Sequence, residues 1–284
     1  MNSLAQVRSI CFIGAGSMAE AIIKGLIDTK LLAPEQISAI NRSNAARLEE
    51  LAARYGITIP CDESDKARLI RDADIVILAM KPKDAGSAVP PLSPLLRDDQ
   101  LIISVIAGLS ITALHTMLGK KTPIVRTMPN TSSTIGLGAT GMSSSLEVTR
   151  EQERRAKAIF ESVGIVKIVE EPLLDAVTGV SGSGPAYIYY VMEAMIQGGI
   201  ECGLAPDTAR DLTVQTVLGA AKMIQETGEE PAELRRKVTS PGGTTQAALE
   251  LMAGYKLQEA VISGVKRAAE RAKELGELFG GGNA

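Results

Sequence analysis

The sequence predicts an α/β protein with two parts, a doubly wound sheet followed by an all-helical domain. Three observations support this prediction. Short apolar runs alternate with helical patterns in the first half, a glycine-rich turn follows the first run, and strand patterns vanish after Pro172. Strands that alternate with helices form a parallel sheet with helices on its faces. We therefore expect one domain over residues 1–168 and a second over residues 169–284.

Seven runs, most of them rich in isoleucine and valine, predict strands that are buried on both faces, as in parallel sheets. They cover residues 7–13, 36–41, 72–80, 99–106, 122–128, 139–145 and 165–170. Helical patterns lie between them over residues 17–30, 43–54, 64–71, 83–96 and 149–164. The alternation predicts a parallel order throughout this sheet.

The second half contains helical patterns over residues 185–203, 205–228, 231–238, 244–255 and 257–278. Pro206 and Pro231 fit first helical turns. Apolar and small residues recur around more than one face of these helices, which is typical of helices that are buried on several sides. A second subunit is one way to bury them.

Composition excludes several classes of function. The chain has 284 residues, a net charge of −3 and no apolar stretch near the length of about 20 residues that a membrane span needs. Nucleic acids and anionic membranes favour concentrated positive charge, so neither is an expected partner. The N-terminal residues do not resemble a signal peptide.

Cysteine and histidine usage gives no metal motif. Cys11, Cys61 and Cys202 are far apart and match neither a zinc motif nor a CxxC pair. This usage is typical of the reducing cytoplasm. The single histidine, His115, is expected on a helix surface, so we predict no metal site and no histidine-based catalysis.

Residues Gly14–Ala19 form a G-x-G-x-x-A pattern between the first strand and the first helix. This is the context of the dinucleotide fingerprint of Rossmann-like domains, in which the second glycine lets a pyrophosphate approach the backbone and the helix N-terminus binds it. The alternative is a tight turn with no ligand. The predicted cofactor-binding residues of this turn are Gly14, Ala15, Gly16, Ser17 and Met18.

The end of the second strand bears on the coenzyme. An NAD site usually has an acidic residue there, whereas this chain has Asn41, Arg42 and Ser43. Because Arg42 can pair with a 2′-phosphate, NADP is favoured and NAD is the alternative. The alternative is that Arg42 is only a solvated side chain at the start of the next helix.

Three further strand ends carry small residues, a proline or an amide. The carboxyl edge of such a sheet is where ligands bind, so together they predict a nicotinamide pocket, although each is common in ordinary loops. These residues are Ala79, Met80, Lys81, Pro82, Ala107, Gly108, Met128, Pro129 and Asn130.

Two glycine-rich segments in the second half precede helices. Ser181–Pro185 predicts a turn that opens a helix at Pro185, and Ser240–Thr245 predicts a loop that enters a helix. Helix N-termini with bare backbone and nearby hydroxyls can bind a carboxylate. Two well-capped helices with no ligand are the alternative.

The segments FIGAGSMAEAI, AMKP, DAVTGVSGSGPAY and VTSPGGTTQAALELM, in this order and spacing, resemble the pyrroline-5-carboxylate reductase family over nearly the whole chain. The resemblance implies reduction of 1-pyrroline-5-carboxylate to L-proline with NADPH or NADH. It also implies a homodimer through the helical domain, with a decamer of five dimers in some members.

The resemblance also implies roles for individual residues. Ser240, Gly243 and Thr244 would bind the substrate carboxylate, and Thr245 would bond the ring nitrogen with Val238 near the ring. Lys81 would lie near the nicotinamide ribose, and Thr245 and Lys81 are the candidate catalytic residues. Many members have an asparagine after the third strand that reaches the adenosine. The resemblance places Glu63 of this chain there, and an acid at that position suits NADH better.

Two other classes of function fit parts of the pattern. One is another imine reductase or a β-hydroxyacid-dehydrogenase-like enzyme, which usually has a lysine or aspartate proton donor in its helical domain. The other is a cofactor-binding protein without catalysis. The glycine-rich segment at residues 240–245 favours the reductase.

Overall fold

The computed structural model describes Leu4 and residues 6–279. Backbone contacts divide the chain into two units. The first, here called the sheet unit, contains the chain up to Ser183 and again from Lys266 onward. The second, the helical unit, is the continuous segment Gly184–Val265.

Within the described residues, the sheet unit contains seven strands in the order β2-β1-β3-β4-β5-β6-β7. They are β1 (Ile10–Ile13), β2 (Ile37–Ile40), β3 (Ile75–Leu78), β4 (Leu101–Ser104), β5 (Ile124–Met128), β6 (Gly138–Ser144) and β7 (Gly164–Ile168). The order runs outward in both directions from β1, so the sheet is doubly wound as predicted. Its switch point lies between β1 and β3, where such sheets bind ligands.

One pairing corrects the prediction of a fully parallel sheet. β6 runs antiparallel to β5, with Met128 opposite Gly141, while every other pairing is parallel. Only residues 129–137 join β5 to β6, and a parallel crossover needs about a dozen residues or more. The short connection therefore turns the chain back on itself.

In the part of the chain that the structure describes, seven α-helices lie in the first part of the sheet unit and five follow. The first seven are α1 (Ser17–Asp28), α2 (Ala45–Tyr55), α3 (Glu63–Asp72), α4 (Pro82–Ala88), α5 (Ile111–Leu118), α6 (Arg150–Glu161) and α7 (Leu174–Val177). The others are α8 (Gly184–Glu201), α9 (Pro206–Thr227), α10 (Pro231–Lys237), α11 (Thr244–Gly254) and α12 (Leu257–Phe279). Pro206 and Pro231 occupy first turns, as predicted.

The helix predicted over residues 83–96 is wrong in its second half. α4 ends at Ala88, and a 3₁₀ segment, Pro90–Leu95, follows it. Pro90, Pro91 and Pro94 cannot donate the backbone hydrogen bonds that an α-helix would require there. The tighter segment continues the path without those bonds.

The sheet buries an apolar layer on each face. Ile10 and Phe12 belong to one cluster and Cys11 to the other, because successive side chains of a strand point to opposite faces. Burial raises the pKa of the Cys11 thiol to about 12, although a hydrogen bond with Ser38 opposes the change. Cys11 is therefore a core residue rather than a nucleophile.

The segment predicted as a turn at Ser181–Pro185 is helical instead. A π-helical stretch, Thr178–Gly182, connects α7 to α8, and the amide of Ser183 donates to the carbonyl of Thr178 at 2.8 Å. The hydroxyls of Thr178 and Ser181 donate to carbonyls one turn back. Gly182 fits because a Cβ there would lie 2.7 Å from the Met128 methyl group.

The boundary predicted after residue 168 follows strand content, since β7 ends at Ile168. The units are defined by backbone contacts, and by that criterion residues 169–183 and the chain from Lys266 belong to the sheet unit.

Near its end, α12 packs against the loop after β4. Gly108 in this loop has φ +77°, and a Cβ on Gly276 of α12 would lie 2.3 Å from the Gly108 carbonyl oxygen.

The helical unit consists of α8–α11 and the first part of α12. α8 approaches α9 closely at Gly199, where a Cβ would lie 3.2 Å from the Ala209 Cβ. Large apolar side chains nevertheless stay exposed on these helices, among them Ile188, Tyr190, Leu212, Leu218, Met223, Leu251 and Ile262. Across the described residues, none of the helices combines the length and the apolar character of a membrane span.

Candidate active site

The turn after β1 depends on glycine at its first position. Gly14 has φ +114°, and its amide donates to the carbonyl of Ile40 at 2.8 Å. A Cβ at this position would lie 2.3 Å from the Ala79 carbonyl oxygen at the end of β3. Both the backbone conformation and the packing against β3 therefore exclude a side chain.

The second glycine faces open space. Gly16 is the N-cap of α1 with an ordinary φ of −77°, and a Cβ there would meet no atom within 4 Å. No side chain caps the helix. Ala19 is fully buried where α1 packs on the sheet. The first backbone N–H groups of α1 are thus presented to solvent beside a bare glycine, which fits a pyrophosphate.

An arginine from α2 reaches this turn. The Nε of Arg47 donates to the Ala15 carbonyl at 3.1 Å, and its terminal nitrogens pair with Glu20 and Glu50. Burial would raise the pKa of Glu20, but hydrogen bonds from Arg47 and Tyr55 more than offset it and the pKa is lowered. Glu20 is therefore ionised near neutral pH and anchors α2 to α1.

A cleft of about 500 Å³ opens beside the turn, within the size range of small-molecule sites. Polar groups from the loop after β2 and from α3 and α4 line it together with an apolar wall. The lining includes Gly14, Asn41, Arg42, Ser43, Glu63, Lys66, Ile70, Met80, Asp84, Pro91, Leu92 and Leu95. The predicted cofactor residues Gly14, Asn41, Arg42 and Met80 are thus brought together.

Lys66 is a lining residue that the sequence interpretation missed. It lies three residues after Glu63 on α3, and its Nζ pairs with the Glu63 carboxylate. Residues three apart lie on the same face of a helix. A helix predicted to begin at Glu63 would therefore have placed Lys66 beside Glu63 on the same face. The acid therefore faces a cation on its own helix, and Arg42 adds a second positive charge to the cleft.

Lys81 and Pro82 begin α4 at the end of β3. Lys81 is the N-cap, Pro82 occupies the first turn, and the Lys81 side chain is exposed. The amide of Ala79 donates to Ile13, which aligns this strand end with that of β1. The roles predicted for Lys81 in catalysis, and for Ala79 and Pro82 in cofactor binding, stay predictions.

The side chain of Asn130 fixes the loop that follows β5. The Nδ2 of Asn130 donates to the Ser181 carbonyl at 3.0 Å, and its Oδ1 accepts from the Ala139 amide at 3.1 Å. Asn130 therefore fixes the loop after β5 against the π-helical stretch. The predicted cofactor contacts of Ala107, Gly108, Met128, Pro129 and Asn130 stay predictions, and Gly108 packs on Gly276 as described above.

The glycine-rich loop of the helical unit forms a second anion-binding geometry. Gly243 is the N-cap of α11, no side chain caps it, and its amide donates to the Ser240 carbonyl at 3.0 Å. Gly242 has φ +72°, and its amide donates to Gln246. Thr244 then opens the helix, so free N–H groups and hydroxyls point out of one short segment.

Ser240, Thr244 and Val238 are exposed, and Thr245 is half-buried. By contrast, the hydroxyl of neighbouring Thr239 is used internally, because it donates to the Arg235 carbonyl at 2.7 Å. The structure thus brings the five predicted substrate residues together within one loop. Their individual roles stay predictions.

Comparisons with known proteins agree over nearly the whole chain. A family model described as pyrroline-5-carboxylate reductase dimerisation matches residues 171–275, and one described as NADP oxidoreductase coenzyme F420-dependent matches residues 9–108. Pyrroline-5-carboxylate reductase 2 of Bacillus subtilis is 43% identical over 97% of this chain and 98% of its own length. The chain belongs to the pyrroline-5-carboxylate reductase family.

Solved structures support the same family. A pyrroline-5-carboxylate reductase from Coxiella burnetii has a TM-score of 0.87 and 38% identity, and it covers 95% of this chain and 98% of its own. A Plasmodium falciparum pyrroline carboxylate reductase with NADP bound has a TM-score of 0.83 and 28% identity, over 94% and 98% of the two chains. The predicted family, fold class and enzyme class are confirmed.

Two polar residues of the sheet unit that are not among the predicted site residues have partners within the unit. His115 lies half-buried on α5, where its Nε2 donates to the Thr122 carbonyl at 2.9 Å. Arg126 is buried on β5 and pairs with Glu171 at 3.2 Å and Asp175 at 3.3 Å. The Arg126 contacts join β5 to the chain after β7.

Proposed function

We propose that this chain reduces the C=N bond of 1-pyrroline-5-carboxylate to form L-proline, with NADPH as the preferred hydride donor. The observation that carries the proposal is the loop Ser240–Thr245, an uncapped helix N-terminus flanked by glycines and hydroxyls, in a chain of this family. A small carboxylate is the ligand that such a loop favours.

The reaction needs little acid–base machinery from the protein. When the ring nitrogen is protonated, the imine carbon accepts a hydride directly, and the nitrogen keeps its proton in the product. The nicotinamide supplies the hydride when bound, so the chain contributes placement and electrostatics.

Each residue of the loop has a distinct task in this proposal. Backbone and hydroxyl groups of Ser240, Gly243 and Thr244 bind the carboxylate. Thr245 bonds the ring nitrogen and orients the ring, with Val238 beside it. Two fixed points, the carboxylate and the nitrogen, determine which face of the imine receives the hydride.

The preference for NADPH rests on charge in the cleft of the sheet unit. Arg42 and Lys66 both line it, together with the hydroxyl of Ser43. Glu63 also lines it, but Lys66 pairs with that carboxylate. Two cations and one paired acid favour a ribose 2′-phosphate over a free hydroxyl.

We further propose that the helical unit forms a homodimer and that the enzyme acts in the cytoplasm. The exposed apolar side chains of α8, α9 and α11 support a second copy of the chain as their cover. The three cysteines are free thiols, which supports a reducing compartment. A decamer of five dimers is the larger assembly that the resemblance implies.

The experiment is an assay of the purified protein with 1-pyrroline-5-carboxylate and either NADPH or NADH. We expect loss of nicotinamide absorbance with matching formation of L-proline, and a higher kcat/KM with NADPH. Coenzyme binding without turnover would support a cofactor-binding protein instead. Turnover of a β-hydroxyacid but not of the imine would indicate the other enzyme class.

A further inference from the structure

The glycine turn between β1 and α1 accepts a hydrogen bond from a side chain of α2, Arg47. We propose that Arg47 is a positioning residue, which fixes the Ala15 carbonyl and thereby aims the Gly16 amide at the dinucleotide. The inference rests on the assignment of this turn to a dinucleotide, and it concerns a residue that touches neither coenzyme nor substrate.

The contacts of Arg47 run in three directions from one planar group. Its Nε donates to the Ala15 carbonyl at 3.1 Å, one terminal nitrogen donates to Glu50 at 2.7 Å, and the other pairs with Glu20. Only 21% of its side chain is exposed. A guanidinium held by two carboxylates has a fixed orientation, so the bond to Ala15 is fixed as well.

Peptide geometry links this bond to the ligand side of the turn. The Ala15 carbonyl and the Gly16 N–H belong to the same planar trans peptide, so they point in opposite directions. Holding the carbonyl toward α2 directs the Gly16 N–H away from α2. Gly16 follows this peptide directly and Gly14 lies one residue before Ala15, so the backbone of the turn has more freedom than an ordinary segment, and Arg47 restricts it.

The charge of Arg47 does not itself recruit the phosphates in this arrangement. Glu20 and Glu50 both pair with the guanidinium and neutralise it locally. Removal of Arg47 should therefore weaken NADPH and NADH equally, because both carry the same pyrophosphate. A cation that contacts the 2′-phosphate would instead separate the two coenzymes.

The simplest alternative is that Arg47 is only an ion pair between α1 and α2. Arg54 provides the matched control for this alternative. It also pairs with Glu20 across the same two helices, at 3.0 Å, but none of its described contacts reaches the glycine turn. Arg54→Ala removes a pair with Glu20, and Glu50→Gln removes the second ion pair of Arg47, so only Arg47→Ala also loses the contact with Ala15.

The test measures dissociation constants of NADPH and NADH by direct titration of the full-length protein, together with steady-state kinetics and Tm. For Arg47→Ala we expect both dissociation constants to rise about tenfold or more, as for loss of a charged hydrogen bond, with kcat at saturating coenzyme within about twofold of wild type. Arg54→Ala and Glu50→Gln should change either constant by less than about twofold.

Arg47→Lys keeps the charge without the planar fork, so we expect it to bind both coenzymes nearly as weakly as Arg47→Ala. It also serves if Arg47→Ala fails to fold. Unchanged coenzyme binding in the folded Arg47 variants, or equal weakening by Arg54→Ala, would overturn the inference. Failure of the wild type to bind either coenzyme would instead overturn the proposed function.

Discussion

Thr245 occupies the second position of α11, half-buried behind the exposed Thr244. We predict that Thr245→Ala lowers kcat/KM for the imine by roughly 10- to 1,000-fold, as expected for loss of a hydrogen bond that matters in the transition state. The dissociation constant for NADPH should stay unchanged. Steady-state kinetics and coenzyme titration measure the two quantities separately.

Thr239 supplies the control for this prediction. Its hydroxyl already donates to the Arg235 carbonyl, so Thr239→Ala removes a hydroxyl from the same region without removing a substrate contact. We expect its kcat/KM to stay within a few-fold of wild type. Near-normal turnover of Thr245→Ala would remove Thr245 from the mechanism.

The proposed preference for NADPH leads to a prediction about two single charges in the cleft, Arg42 and Lys66. We predict that Arg42→Ala and Lys66→Ala each raise KM for NADPH about tenfold, because each removes a charge-assisted contact with the 2′-phosphate. KM for NADH should change little. The ratio of kcat/KM for the two coenzymes measures the effect, and equal changes for both would contradict a 2′-phosphate contact.

The two glycines of the β1–α1 turn have different functions, which substitution should separate. We predict that Gly14→Ala lowers the free energy of unfolding by roughly 2 kcal/mol or more, since Gly14 has φ +114° and a Cβ would meet the Ala79 carbonyl. Urea denaturation measures this loss.

Gly16→Ala should fold almost normally, with a cost under about 1 kcal/mol, because its φ is ordinary and its Cβ would meet nothing. The new methyl group would instead occupy the pyrophosphate site, so both coenzymes should bind at least about tenfold more weakly. A stable Gly16→Ala protein with normal coenzyme affinity would show that the pyrophosphate lies elsewhere.

At the scale of elements, local sequence signals were sufficient for most of the fold. Every strand and long helix forms close to its predicted position, because apolar periodicity and proline placement are local properties. The Ser181–Pro185 segment differs, since glycines and serines there serve a π-helical stretch whose packing against Met128 is not visible in the sequence. The antiparallel direction of β6 follows from the short connection between β5 and β6, residues 129–137, and the strand pattern alone contains no information about direction.

The candidate site was predictable where it depends on short motifs, such as Gly14–Ala19 and Ser240–Thr245. It was not predictable where distant residues meet. Asn130 bonds Ser181, 51 positions away, and Arg47 bonds Ala15, 32 positions away. Tertiary packing creates such pairs, and a single sequence contains no signal that identifies the partner.

At the scale of the whole molecule, exposed apolar side chains predict self-association. Leu218 on α9 is 49% exposed. We predict that Leu218→Asp shifts the protein from an oligomer toward a monomer in light scattering, because a buried carboxylate in an apolar interface is costly. Loss of activity should accompany the change if the dimer completes the site.

Leu146→Asp is the matched control, because it places the same residue at an exposed leucine in the sheet unit. It should leave the molecular mass unchanged. A Leu218→Asp protein with the mass of the wild type would show that this part of α9 lies outside the interface.

The packing of α12 on the loop after β4 affects how the two units can be expressed separately. Along the chain the helical unit is an insertion, and the last segment of the sheet unit follows it. A fragment that stops at Ser183 would leave the Gly108 backbone uncovered where Gly276 normally packs. An independently expressed sheet unit therefore needs the segment from Lys266 onward joined by a linker to Ser183, rather than a chain that ends between the two units.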